Sequence, residues 1–320
     1  MQLTELLRRN TSVKPDALCT IFVDRRSFAK MQDRVARLAA GLASPWATHG
    51  DRIGMLSLNS DRYYAFYQAV PWAGCAVNPV NIRRAPAEIA CSPDDCDTRI
   101  LIVDDTFAPL VDDLRARSLT LKHVIHAGDG PAPAGMISYE ALVADNAPMT
   151  DAGRSGDDLA GVFYTGGTAG FPKGVMLSQR GLYVNGLTMV AEGGMDEDSH
   201  GLIATPMFHI AAELMMNGFS CVGARQIVRP RCGAADHRGR RGHIDAAGVR
   251  PRQDPEEQGP RPLLGGSDPQ HRLECSHRRH IHDPLTDVQG QTGRPEPPSD
   301  ATYLHHPLGC RHAGHRGGGQ

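Results

Sequence analysis

The chain has 320 residues, room for one large domain or two ordinary ones, and its 34 basic and 36 acidic residues select no polyanionic partner, nucleic acid included. No apolar run reaches the ~18 residues of a membrane span, and Met1–Arg9 shows no apolar stretch behind its charges, so neither a transmembrane helix nor a secretory signal is expected. Eight widely spread cysteines read as buried or incidental thiols of a cytoplasmic protein rather than as a disulfide framework.

Phe28, Met31, Val35, Leu38, Ala39 and Leu42 recur at helical spacing, which predicts an amphipathic helix over Ser27–Ala43 with Ser27 as N-cap. Arg52–Leu58 reads as a strand that ends at the turn Asn59-Ser60. A helix over Asp61–Trp72 follows, then an extended segment from Gly74 to Val80. Arg99–Asp104, Leu121–His126 and Leu159–Tyr164 read as buried strands, with helical patterns between them. Pro131–Gly135 and Ala147–Asp158 have the composition of surface loops. No internal repeat is visible. Alternation of this kind points to an α/β fold with parallel strands and crossover helices.

Residues 164–174 read Tyr-Thr-Gly-Gly-Thr-Ala-Gly-Phe-Pro-Lys-Gly. Glycines allow a backbone to turn sharply and to aim successive N–H groups at one anion. Thr165 and Thr168 supply hydroxyls that either donate to a ligand or shape the turn, and Lys173 supplies a mobile positive charge. Together they make a polyphosphate grip, expected at the carboxyl end of the strand closing at Tyr164 and before a helix over about Gly181–Glu192. A Walker loop is excluded, because Lys173 stands between Pro172 and Gly174 and is followed by no Ser or Thr opening a helix.

This segment resembles the glycine-rich signature of the adenylate-forming superfamily, and within it the acyl-CoA synthetases that activate fatty or aryl acids. Gly166 and Ala169 stand where that signature usually has hydroxyl residues, and Gln179 stands where His is frequent. Phe28-Ala-Lys, Arg37–Leu42, Gly50–Ile53, Trp72–Asn81 and Pro86–Ile89 are similar to the family's preceding segments in order. Thr205-Pro-Met-Phe-His-Ile resembles a second signature, whose His-bearing turn lines the acyl pocket. The resemblance covers most of residues 1–228. It implies the N-terminal portion of the adenylate-forming α/β fold. It also implies a reaction in which a carboxylic acid and ATP give acyl-AMP and CoA then takes the acyl group. The substrates are thus ATP, CoA and a carboxylic acid, with Mg²⁺ as the metal. By this resemblance Thr165, Gly166, Gly167, Thr168, Ala169, Gly170 and Lys173 bind the ATP phosphates. His209 either lines the acid pocket or caps a helix. Because amino-acid-activating relatives commonly carry Asp at that position, an acid without an α-amino group, a fatty acid first, is the expected substrate.

The composition breaks at about Val228. Residues 229–320 hold 14 Arg, 11 Pro and 10 of the 15 His, with no Phe, Trp, Met or Lys and only ten Leu, Ile or Val. That is too little apolar surface for a core, so disorder is expected. Cys275, His277, His280, His282, His305, His306, Cys310 and His312 suggest zinc but follow no finger or ribbon spacing. An Arg-rich nucleic-acid tail would not be broken by Asp254, Glu256 and Glu257 or lack Phe and Trp for stacking. The composition is that of a GC-rich coding region read out of register, and a one-base shift across Ala234–Gly242 permits an amphipathic helix. The family's Tyr-Gly-x-Thr-Glu segment, ribose-binding Asp and catalytic Lys match nothing after Phe219. The expectation is therefore an incomplete, aggregation-prone enzyme of low or no activity, or a non-catalytic acyl- or nucleotide-binding remnant or decayed gene product.

Overall fold

In the computed structural model, residues 1–43, 46–165 and 173–229 are described. The expectations that fall on Gly166–Gly170 and on residues 230–320 lie outside them.

The chain opens with α1 (Thr4–Val13) and an antiparallel pair, β1 (Leu18–Ile21) and β2 (Arg25–Ser27). Helix α2 (Phe28–Ala43) follows at once, and the Ser27 Oγ accepts from Lys30 N–H at 3.4 Å, the cap expected from the sequence. Its apolar stripe, Phe28, Met31, Val35, Leu38, Ala39 and Leu42, is fully buried. Next come β3 (Arg52–Leu56), α3 (Asp61–Trp72), β4 (Ala76–Pro79), α4 (Pro86–Asp95) and β5 (Thr98–Val103). Ser60 caps α3 by accepting from Tyr63 N–H, which fixes its start at the residue that the sequence indicated. Almost every residue of α3 is buried, so it is an internal helix and not an amphipathic one.

The chain continues through α5 (Val111–Arg117), β6 (His123–His126), β7 (Ile137–Ser138), α6 (Tyr139–Asp145) and β8 (Leu159–Tyr164). It then runs β9 (Gly174–Ser178), α7 (Gln179–Gly193), β10 (His200–Ile203), α8 (Ile210–Val222) and β11 (Arg225–Val228). Helix α8 ends at Gly223, whose φ of 69° is the left-handed conformation that glycine adopts without a Cβ clash.

Two sheets result. One has seven strands in the order β7-β6-β5-β3-β4-β8-β9, and the other has four in the order β10-β11-β1-β2. The α/β class holds, and the large sheet is parallel from β7 through β8. The expectation of parallel pairing throughout fails at β9, which returns antiparallel to β8. The second sheet was not anticipated. Its strand β1 pairs in parallel with β11, with Thr20 opposite Gln226.

Side chains alternate across the large sheet. Ile53, Met55, Ile100 and Ile102 face the cluster that contains α2, α3 and the small sheet's Cys19, Ile203 and Val228. Leu56, Leu101 and Val103 face a second cluster with Ile89 of α4 and Val111 and Leu114 of α5. Helices α2 and α3 thus form a layer between the sheets, and α4 and α5 cover the far face. Strand β8 approaches β4 so closely that a Cβ on Gly161 would lie 2.9 Å from the Val77 carbonyl oxygen, so only glycine fits there. At the β9 edge, Val175 and Met176 are exposed, as are Val184 and Leu187 on α7. Cys19 and Cys75 are buried, unbridged thiols, and burial pushes each up to about 12. No helix among the described residues is long and apolar enough to cross a membrane.

Candidate active site

The glycine-rich segment is flanked by the antiparallel pair β8 and β9. Tyr164 pairs with Gly174 across β8 and β9. One step nearer the turn, Thr165 N–H donates to the Lys173 carbonyl at 3.0 Å. The Thr165 hydroxyl reaches the same oxygen at 3.4 Å, so it closes the stem. Thr165 and Lys173 are both exposed, which leaves the Lys173 ammonium open to a ligand. The expected order of strand, loop and helix is corrected here: β9 intervenes, and α7 begins at Gln179, with the Ser178 Oγ accepting from Gly181 N–H at 3.1 Å. The physical reason is that Gly174–Ser178 has a strand partner in β8, and its exposed apolar residues carry no period that marks the pairing.

Because β8 is parallel to β4, its carboxyl end emerges beside the chain that leaves β4. That connection carries Arg83 and Arg84. Asn81 accepts from Arg83 N–H through its side chain at 3.0 Å, a local turn that directs both arginines away from the strand. Arg84 Nη2 donates to the Thr165 carbonyl at 3.0 Å. Arg83 lies over the Phe208 ring at 5.8 Å. Tyr164, the last residue of β8, donates its hydroxyl to Asp95 at the end of α4 at 2.8 Å. Burial first, and then Cys96 and Asp95, push the Tyr164 hydroxyl well above its ordinary value, so it stays protonated and able to donate.

The second signature turn reaches the same sheet edge. Asn59, just after β3, donates to the Thr205 carbonyl at 2.9 Å and accepts from Met207 N–H at 2.8 Å. Tyr67 of α3 donates to the Met207 carbonyl at 2.6 Å. These contacts pin residues 205–207, and His209 follows as the N-cap of α8. Its Nδ1 accepts from Ala211 N–H at 3.2 Å while the residue is exposed. Of the two readings for His209, the helix cap is therefore present. One turn along α8, Glu213 is buried with Oε2 unpartnered. Burial, partly offset by Asn217, pushes its carboxyl up to about 8.

A separate cleft of about 190 Å³ lies beyond the carboxyl ends of β3, β5 and β6. Chain connections leave in opposite directions there, a placement that favours ligands in open sheets. Its polar groups serve each other. Asp104 accepts from Ser57 Oγ and Leu58 N–H, Asp105 contacts His126, and Arg62 donates to Asp129 and to the Ala127 carbonyl. No such cleft was expected from the sequence.

The structure places Thr165 and Lys173, and the segment that carries His209, at one sheet edge. Sequence reasoning missed Asn59, Tyr67, Arg83, Arg84 and the Tyr164–Asp95 pair, which support those segments. In the sequence Asn59 marks only a turn, and no local pattern marks the other contacts.

Residues 7–242 match the family model described as AMP-binding enzyme. A long-chain-fatty-acid–CoA ligase of Thermus thermophilus is 32% identical over 209 residues, which is 64% of this chain and 38% of that protein. An indoleacetate–CoA ligase of Aromatoleum aromaticum is 30% identical over 222 residues, 66% of this chain and 41% of that protein. Among solved structures, the inhibitor-bound N-terminal domain of FACL13 from Mycobacterium tuberculosis superposes with a TM-score of 0.67 at 24% identity. That match covers 72% of this chain and 58% of that one. The chain spans about two fifths of the length of the curated relatives it matches. The chain belongs to the AMP-binding enzyme family.

Proposed function

We propose that this member of the family serves the ATP-dependent activation of a carboxylic acid, a fatty acid first, to an acyl-adenylate and then to a CoA thioester. The observation that carries the reading is the hairpin of β8 and β9. It presents Lys173 exposed at the stem of the glycine-rich turn, at the same sheet edge as the Phe208-His209 turn. The fit to a nucleotide polyphosphate rests on that exposed ammonium and on a stem closed by its own bonds. The two ends of the glycine-rich segment are thereby held together before any ligand arrives. Thr165, Gly166, Gly167, Thr168, Ala169, Gly170 and Lys173 would hold the phosphates, and Mg²⁺, bound with them, would neutralise oxygens that the protein does not reach. ATP supplies an activated phosphorus centre, and CoA supplies the thiol that receives the acyl group. The chain's own part is to orient the phosphates and to hold positive charge beside them.

His209 is proposed to face the acid from the cap of α8. With Nδ1 taken by the helix cap, Nε2 is the ring nitrogen left for the acid, where an ammonium-bearing substrate would need a carboxylate. Residues 229–320 contain no lysine, so a catalytic ammonium has no source there. We propose that residues 1–228 carry the phosphate grip and that residues 229–320 add nothing to catalysis, so this polypeptide binds nucleotide with little or no turnover.

The test measures pyrophosphate release with ATP, Mg²⁺ and a panel of fatty and aryl acids, beside MgATP titration of wild type and Lys173→Met. MgATP binding weakened by Lys173→Met, with little pyrophosphate, supports the reading. Turnover like that of a full-length synthetase refutes the low-activity part. MgATP affinity unaffected by Lys173→Met refutes the grip itself.

A further inference from the structure

We propose that Arg84 is a positioning residue for the phosphate-binding turn, holding its stem from the neighbouring strand connection. The inference rests on the proposed reading of Thr165–Lys173 as the polyphosphate grip, and it adds a residue that neither signature contains.

The placement follows from topology. Strands β4 and β8 are parallel neighbours, so the chain leaving β4 passes the point where β8 turns back. The Asn81 turn and the start of α4 fix that short connection. Ala85 N–H donates to the Glu88 carboxylate at 3.1 Å, and Pro86 supplies a first helical residue that needs no N–H partner. Between those two fixtures, Arg84 extends to the hairpin with its side chain only 13% exposed. Its Nη2 donates to the Thr165 carbonyl, Nη1 lies 3.6 Å from Glu88, and Nε is buried without a hydrogen-bond partner among the described residues.

Thr165 is thereby held on both sides, its N–H by Lys173 and its carbonyl by Arg84. A peptide group is planar, so holding a carbonyl also holds the direction of the N–H that follows it. Arg84 therefore sets how the chain leaves the stem. A loop that grips an anion through backbone N–H groups gains affinity when those groups are aimed in advance. The guanidinium is suited to this, being always charged and weakly hydrated, so it can be buried beside a carbonyl while adding positive potential near the turn. The far end of α4 braces the same stem, where Asp95 accepts from Tyr164.

The experiment is calorimetric titration of the 320-residue chain with magnesium tripolyphosphate, for wild type, Lys173→Met, Arg84→Met and Arg84→Lys, at low and at 0.5 M-scale salt. Lys173→Met and Arg84→Met are each expected to weaken binding about tenfold. Arg84→Lys, which keeps a donor and the charge, should stay within about threefold of wild type. The ligand-free melting temperature of Arg84→Met should stay within about 3 °C of wild type. The Arg84→Met deficit should persist at high salt, since aim is not screened, whereas a long-range charge effect collapses there. Binding unchanged in Arg84→Met but weakened in Lys173→Met overturns the inference and leaves the phosphate reading standing. A deficit that vanishes with salt also overturns it. Binding that is absent in wild type, or indifferent to Lys173→Met, overturns both. If Arg84→Met does not fold, Arg84→Gln, whose shorter neutral side chain does not reach the Thr165 carbonyl, decides: a tenfold loss in the folded variant supports the inference, and wild-type affinity refutes it.

Discussion

Replacing Glu213 by Gln should stabilise the protein above neutral pH and do almost nothing in mild acid. Glu213 is 3% exposed on α8, with Oε1 3.5 Å from Asn217 Nδ2 and Oε2 unpartnered. None of the described ion pairs includes it, and the Tyr67 phenol is its other titratable neighbour. Burial raises the carboxyl from an ordinary value of 4.5 to about 8, against a smaller lowering by Asn217. Between those values the folded chain holds a proton that the unfolded chain releases. The stabilisation from the neutral acid is therefore complete below pH 4.5 and is lost as pH rises toward 8. Each unit corresponds to about 1.4 kcal/mol, so the cost is about 3 kcal/mol at pH 7 and about 5 kcal/mol above pH 8. Against a total stability of about 5–15 kcal/mol that is a large fraction.

Gln keeps the volume and does not titrate. Urea unfolding of wild type and Glu213→Gln at half-unit steps from pH 4 to pH 9 checks this. The two curves should meet near pH 4 and diverge by about 1.4 kcal/mol per unit to pH 8. In thermal melts the divergence between pH 5 and pH 7 should be about 5–10 °C. Parallel profiles, or a wild type that gains on the variant as pH rises, would refute the assignment of Glu213 as a buried neutral acid.

Glu140 runs the other way. Burial would raise its carboxyl, but the bidentate Arg34 and then Arg62 hold it down at about 2, so its stabilisation is present above pH 4.5 and lost as pH falls toward 2. Since Glu140 is 47% exposed, screening reduces the effect to about 1–2 kcal/mol, which Glu140→Gln should forfeit at pH 7 and not at pH 2 in urea melts. Asn59→Ala removes two of the three hydrogen bonds that pin residues 205–207, leaving the one from Tyr67, and should cost about 2–4 kcal/mol in chemical denaturation. A cost under about 0.5 kcal/mol would mean the turn holds itself. Gly161→Ala forces a Cβ against the Val77 carbonyl and should cost about 1–3 kcal/mol by the same measurement. For His209, Asn preserves an N-cap acceptor whereas Ala removes it, so His209→Ala should lose about 1 kcal/mol and His209→Asn little. Acid binding that falls in His209→Asn at unchanged stability would assign the ring to the pocket. Unchanged binding would leave it a cap.

The sequence by itself determined the class of fold, the family and the bounds of the well-marked elements. Helix α3 was legible to the residue because its N-cap and the turn before it are adjacent in the chain, and α2 because its buried stripe repeats every three to four positions. Lys173 stood out for a similar reason, since a glycine-rich run closed by a lysine is a local pattern. What only the tertiary structure decided is what depends on residues far apart. Strands β1 and β11 are short, and their polar residues Thr20 and Gln226 are fully buried where the two strands pair and where Gln226 donates to the Met216 carbonyl and Ser220 Oγ of α8. Strand β9 is mostly exposed and shows no alternation, yet its pairing with β8 brings Thr165 and Lys173, the two described ends of the glycine-rich segment, together. Arg84 and Asn59 lie in connections whose local sequence says only that the chain turns. Their carbonyl and N–H partners are 81 and about 146–148 residues away. Periodicity and capping act within a few residues and can be read along a chain. The aim of a loop is set by whichever strand lies next to it, and that neighbour is chosen by the packing of the whole domain.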